Sequence, residues 1–238
     1  MKIAFLHYDC MTKRTDKNLK QIIDGIDISA QNGAKWILTP ELALQGYHFS
    51  LFGRTNEIPQ NIEDIIYPIL DTAKKYSVYV FLGCAVNDKK NIHGSTESWA
   101  SNGIQNRIFN LDGIKTGILI CIDIFYKENA IIMKELGADA IIVPAAWSPL
   151  YGTDPQKLWS EFSSLIPNTP IFICNQTGCD YKIDLNSASS AVMYNGKCIT
   201  SYKGFPAILF SDINFSEFKI KNNNFEILYD DKQPRIKK

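Results

Sequence analysis

Apolar residues follow one another along this chain in two alternating rhythms. The runs Ile3–Leu6, Trp36–Thr39, Val78–Gly83, Thr116–Cys121, Ala140–Pro144 and Ile171–Asn175 are nearly continuous in β-prone side chains, the pattern of strands buried on both faces. Between them the spacing becomes helical. Asp16–Asn32 puts Leu19, Ile22, Ile23, Ile26 and Ala30 on one face, and Asn61–Tyr76 does so with Ile62, Ile65, Ile66, Ile69, Leu70 and Ala73. Helices are also predicted over Glu128–Leu136 and Pro155–Leu165, and Gly33 reads as a C-cap ahead of the second strand. Turn signals at Asn195–Gly196 and Lys203–Gly204 predict late hairpins. Strand–helix alternation of this kind gives an α/β protein, a mixed sheet with helices outside. No repeat or low-complexity linker divides the chain, so one domain over 1–238 is expected.

Composition narrows the field without choosing a function. Apolar residues make up 45% and charged residues 21%, ordinary globular usage. Lys+Arg and Asp+Glu stand at 25 each, so no nucleic-acid or anionic-membrane partner is expected. Arginine occurs only at Arg14, Arg54, Arg107 and Arg235, which further weakens a phosphate-reading role. The lysine-rich stretch Lys232–Lys238 reads as a solvated terminus. Six cysteines lie at 10, 84, 121, 174, 179 and 198 with no C-x-x-C, so neither a zinc site nor a disulfide framework is suggested. The first residues form a strand pattern rather than a signal peptide, and no run reaches membrane-spanning length. A reducing cytoplasm is the expected location. There is no Gly-rich phosphate loop and no metal-ligand cluster, so no cofactor or metal is expected.

Chemistry enters at Cys121, where an apolar strand breaks off into a thiol followed by Ile122 and Asp123. A rigid strand holding a thiol at its mouth suits a nucleophile. By itself such a cysteine is more often a small core hydrophobe. A second apolar strand ends in Pro40–Glu41, and Lys90 and Glu97 lie upstream of the cysteine. A lone glutamate after proline is usually solvated, and Glu97 sits in the polar stretch Gly94–Ser98, where any acid is unremarkable. Together, however, a thiol, a carboxylate and an ammonium are what attack on a carbonyl requires.

These segments resemble the nitrilase, or carbon–nitrogen hydrolase, superfamily. Pro40, Glu41, Leu42, Gly46 and Tyr47 match its P-E-[LMF]-x-x-x-G-Y signature. Gly117, Ile120, Cys121, Asp123 and Glu128 match its cysteine signature, and Gly137–Trp147 matches G-A-D-x-I-x-x-P-A-x-W. An N-x-x-G pair at Asn175 and Gly178 and the stretch Ser189–Gly196 also fit. The resemblance covers nearly the whole chain, with the motifs in order, and implies a four-layer αββα sandwich. It makes Cys121 the nucleophile, Glu41 the base, Lys90 the oxyanion stabiliser beside the Ile122 N–H, and Glu97 the group orienting the lysine. Tyr47, Ile122, Phe125, Trp147 and Asn175 become candidate substrate contacts. It also implies at least a homodimer, pairing through the helix near Glu128–Leu136, where Ala130–Ile131–Ile132–Met133 is more apolar than one buried helix face requires.

One segment departs from the family. The hairpin usual between the strand ending at Gly83 and the lysine is absent or much reduced, because Lys90 follows Gly83 by only seven residues. Lys90 keeps family-like spacing to Glu97 and Cys121. Lys89 is its neighbour, and on a strand a shift of one residue points to the opposite face. Loss of the lysine strand is the third alternative. Cys121–Ile122–Asp123 leans toward amide or N-carbamoyl substrates rather than nitriles, whose hydrolases commonly carry C-W-E. The competing readings are a non-catalytic relative kept as a binding or interaction module and a papain-like Cys–His hydrolase. His7, His48 and His93 carry no recognisable partner motif for the latter.

Overall fold

A computed structural model of the chain describes residues 1–47, 62–85, 108–148, 155–180, 183–217, 219–221 and 223–229. Two sheets carry the architecture. The first is built on β1 (Lys2–His7), β2 (Ala34–Leu38) and β3 (Tyr79–Phe81), which run parallel in the order β1-β2-β3. On the far side of β1 lies β12 (Ala207–Asn214), antiparallel to it and flanked in turn by β13 (Lys219–Ile220) and β14 (Glu226–Tyr229). The second sheet has a parallel centre of β5 (Ile114–Ile118), β6 (Ala140–Ala145) and β7 (Ile171–Asn175). Antiparallel strands close it on both sides: β4 (Ile108–Leu111) beside β5, then β10 (Ser190–Tyr194) and β11 (Lys197–Tyr202) beyond β7. A short ribbon, β8 (Cys179–Asp180) with β9 (Ile183–Asp184), lies outside both sheets.

The two-residue period of each strand assigns its side chains to layers. Ile3, Phe5, Trp36 and Leu38 of the first sheet meet Ala140, Ile142, Phe172, Cys174 and Val192 of the second in one shared core. The alternate residues Ala4, Leu6 and Ile37 turn outward to Ile22 and Ile26 of α1 (Thr15–Gln31) and Ile69 of α2 (Glu63–Tyr76). On the other side Ile141, Val143, Ile171 and Ile173 pack with Ala130 and Met133 of α3 (Lys127–Glu135) and Trp159 and Phe162 of α4 (Pro155–Leu165). The result is the αββα sandwich that the family resemblance implies, two sheets where the strand–helix alternation alone predicts one mixed sheet. Gly33 leaves α1 at φ +85°, as a residue past a helix end does.

Three local readings are corrected. The fifth strand does not run to Cys121. It stops at Ile118, and Cys121–Phe125 forms a 3₁₀ turn, because the Asp123 carboxylate accepts the Ile120 N–H at 2.8 Å and draws the chain round. Lys203–Gly204 is not a hairpin turn. It lies where the chain crosses from β11 in the second sheet to β12 in the first. Strand β4, absent from the sequence reading, pairs with β5 through Asp112–Gly113, both at positive φ as a tight hairpin turn demands.

Candidate active site

Parallel strands bring their C-terminal ends to one edge, and the predicted residues sit on the chain just beyond those ends. The chain leaves β2 as Thr39–Pro40–Glu41, β5 as Leu119–Ile120–Cys121, β6 as Ala146–Trp147 and β7 as Gln176–Thr177. Hydrogen bonds bind these exits together, one of them between the sheets. The Ala145 carbonyl accepts the Gln176 N–H at 2.9 Å within its own sheet and the Glu41 N–H at 3.4 Å from the other. The Leu119 N–H donates to Ile142 O at 3.0 Å, carrying the β5–β6 ladder one step past the strand. Glu41 and Cys121 therefore rise from the same edge, and each is buried to 8% exposure.

Cys121 is held under local strain. Its φ is +42°, a left-handed conformation that a side-chain-bearing residue adopts at a steric penalty. The Asp123 N–H closes the turn on Ile120 O at 2.8 Å, and the Asn129 side chain donates to Asp123 O at 2.8 Å. The thiol thus stands on a tight elbow clamped from both sides. Burial pushes the Cys84 thiol up to about 11 and the Cys174 thiol well above its ordinary value, which keeps both protonated at neutral pH.

Glu41 opens a compact turn that ends at Gly46, whose N–H donates to Leu42 O at 2.7 Å. Leu42 is left-handed at φ +51°. Gly46 sits at φ +80° with Thr12 N only 2.4 Å from where a Cβ would stand, so the signature glycine is required by both conformation and space. Gly83 meets the same segment from the β3 side. A Cβ there would fall 1.9 Å from Pro40 O.

The remaining candidates divide into two groups. Trp147 is buried, and its indole N–H finds no acceptor among the described residues. Its backbone is gripped by Asn175: the Trp147 N–H donates to Oδ1 at 2.8 Å, and Nδ2 donates to Trp147 O at 3.3 Å and to Gln176 O at 2.7 Å. Asn175 is wholly buried, with its amide engaged on backbone. Ile122 and Tyr47 are half-buried on the two elbows, Tyr47 packing on Leu42 and Ala85. Phe125 is exposed, its ring edge-on to Tyr126 at 6.0 Å. Lys90, Lys89 and Glu97 lie outside the described residues. Sequence reasoning passed over Gln45, Thr39 and Ser190, because what they bind is backbone or a distant side chain, and no residue spacing reports that.

A sequence model of the carbon-nitrogen hydrolase family matches residues 94–219, more than half of the chain. The chain belongs to the carbon–nitrogen hydrolase family. It is 26% identical over 169 residues to a nitrilase of Pyrococcus abyssi, a match covering 61% of this chain and 64% of that protein. It is 21% identical over 248 residues to a probable nitrilase of Schizosaccharomyces pombe, covering 100% of this chain and 90% of the relative. Among solved structures, an amidase from Nesterenkonia sp. AN1 in complex with acrylamide superposes with a TM-score of 0.76 at 18% identity, covering 92% of each chain. That likeness supports the nitrilase fold.

Proposed function

We propose that this chain, as a single hydrolase domain over residues 1–238, cleaves the carbon–nitrogen bond of a small amide or N-carbamoyl compound through a thioester on Cys121. The observation that carries this reading is the strained elbow that presents Cys121 at the same sheet edge as Glu41. Family membership supports amide hydrolysis as the class of reaction. The Nesterenkonia amidase is described with acrylamide and the acetamide moiety of fluoroacetamide added at its active-site cysteine, and with butyramide bound.

In this mechanism Glu41 accepts the thiol proton as Cys121 Sγ attacks the carbonyl carbon. The carbonyl oxygen takes up the electron pair as an oxyanion, which the Ile122 N–H and the Lys90 ammonium stabilise. The oxyanion collapses, the carbon–nitrogen bond breaks, and Glu41 returns the proton to the departing nitrogen. Water then attacks the thioester with Glu41 again as base, releasing the acid and restoring the thiol. Glu97 orients Lys90. Trp147 and Tyr47 line the acyl side, where the unmatched indole N–H suits an acceptor on the substrate, and Asn175 holds Trp147 in place. Phe125, exposed at the end of the Cys121 turn, is a further candidate substrate contact. The chemistry needs no cofactor, and a reducing cytoplasm keeps Cys121 as a thiol.

Ammonia release from a panel of small amides and N-carbamoyl compounds tests the reaction. Cys121→Ala should lower turnover by at least about three orders of magnitude. Glu41→Gln should abolish turnover and slow alkylation of Cys121. Mass spectrometry after incubation with an electrophilic amide should find one adduct, on Cys121. Labelling at Cys10, Cys84 or Cys179 with Cys121 untouched overturns the assignment.

A further inference from the structure

The turn that carries Glu41 is pinned by a residue at a position the family signature leaves unspecified. Gln45 is buried to 3% exposure, yet its carboxamide does not face solvent or another side chain. Its Nε2 donates to Ala85 O at 2.8 Å, and its Oε1 accepts the Ala85 N–H at 3.1 Å. Both backbone groups of one residue are thus held by one side chain, as a neighbouring strand would hold them. The backbone ladder between β2 and β3 closes at Leu38↔Phe81, where the Thr39 N–H donates to Phe81 O at 3.0 Å. Beyond it, Thr39 Oγ1 donates to Phe81 O at 3.1 Å and accepts the Gly83 N–H at 2.8 Å. Thr39 and Gln45 therefore continue the ladder after the backbone of β2 has turned away. Glu41 lies between them in sequence. On its other sides the same turn is tied by the Glu41 N–H to Ala145 O at 3.4 Å, and by Asn18 Nδ2 to Leu44 O at 3.1 Å.

We infer that Gln45 is a positioning residue for Glu41, its amide clasp on Ala85 fixing the turn from which the carboxylate reaches the thiol. This rests on the reading of Glu41 as base given above. An apolar side chain of the same volume would leave the buried Ala85 N–H and C=O without these partners. A fully satisfied buried amide instead selects one geometry over its neighbours. Selection is needed here, because the turn holds Leu42 at φ +51°, a conformation that relaxes once its surroundings loosen. Small displacements of a catalytic group are amplified, an ångström of misplacement being worth about a hundredfold in rate.

The test is the pH profile of Cys121 carboxamidomethylation by iodoacetamide, read by peptide mass spectrometry on the full chain. It needs no knowledge of the substrate. Gln45→Met keeps the volume and removes both hydrogen bonds. Gln45→Glu removes the donor and sets a carboxylate against Ala85 O. The expected result for either variant is a native circular-dichroism spectrum with the neutral-pH rate lowered by about 10- to 100-fold. The profile should move toward that of Glu41→Gln, in which Cys121 has no carboxylate to take its proton. Ser163→Ala, which loses one hydrogen bond to Gly196 N far from the site, should keep the wild-type profile. A wild-type profile in Gln45→Met or Gln45→Glu overturns the inference, and so does failure of both to fold, which would make the clasp a folding element only. If Glu41→Gln itself keeps the wild-type profile, the base assignment falls first and this inference with it.

Discussion

His7 is the third residue of β1 to face the opposing sheet, after Ile3 and Phe5, and the first of them that is polar. Its Nδ1 lies 2.9 Å from Ser190 Oγ, and that hydroxyl accepts the Asn175 N–H at 2.9 Å. One short chain of contacts thus links the middle of the sandwich to the residue that grips Trp147. Burial holds the imidazole down to about 4, against 6.5 for an ordinary histidine. The unfolded chain therefore binds a proton between those values that the native chain refuses. The stabilisation is complete above pH 6.5 and is lost as pH falls toward 4, about 3 kcal/mol in all at roughly 1.4 kcal/mol per unit. Urea unfolding between pH 7 and pH 4.5 should show a falling midpoint in the wild type and a shallower fall in His7→Gln. Equal slopes would remove the imidazole from the account.

At the scale of elements, the 3₁₀ turn after β5 shapes the site most. Its geometry depends on the Asp123 carboxylate receiving the Ile120 N–H. Asp123→Ala leaves that donor unmatched and should destabilise the fold by about 1–3 kcal/mol. Cys121 alkylation should slow with it, whereas Asp123→Asn, which keeps an acceptor, should retain most of both properties. Similar behaviour of the two variants in thermal melts and alkylation would count against a turn held by this bond. The same turn shows where sequence reading stops. Strands β6 and β7 were legible because both their faces are buried and their apolar runs are unbroken. Ile120 also looked like strand, and its backbone is in fact extended, at φ −111° and ψ 120°. What ends the strand is an acid three residues further on, a contact that no periodicity records. The Asp112–Gly113 turn is itself a sequence signal that a strand, β4, precedes β5. Lys203–Gly204 was visible too, but a local turn signal cannot tell a hairpin from a crossover, since long-range pairing chooses the partner. The Glu41 and Cys121 elbows were legible as motifs, while the Gln45 and Asn175 clasps were hidden because they grip backbone.

The molecule as a whole shows an apolar band that one copy leaves uncovered. Phe125, Tyr126, Ile131, Ile132 and Leu136 are all more than a third exposed, while Ala130 and Met133 of the same helix face inward. The expected homodimer would bury that band. Sedimentation at micromolar concentration should give at least twice 26.9 kDa, and the double substitution Ile131→Asp with Ile132→Asp should return the monomer. A wild-type monomer would contradict the pairing. No helix among the described residues is long and apolar enough to cross a membrane. The order of strands has a further consequence, for how the chain is made. Every described strand of the second sheet falls between Ile108 and Tyr202, whereas β1 has β2 on one side and on the other β12, with Lys2 opposite Asp212. A chain emerging N-terminus first therefore exposes β1 from the outset with one edge bare. The second sheet has all its members before β12 leaves the ribosome. In a chain truncated after Phe205, hydrogen exchange should find the amides of β6 and β7 protected and those of β1 open. Equal protection would reverse that order. Among the strands of the first sheet, the earliest made waits on one of the latest, and the waiting edge leaves the nascent protein open to pairing with a neighbour on the same message.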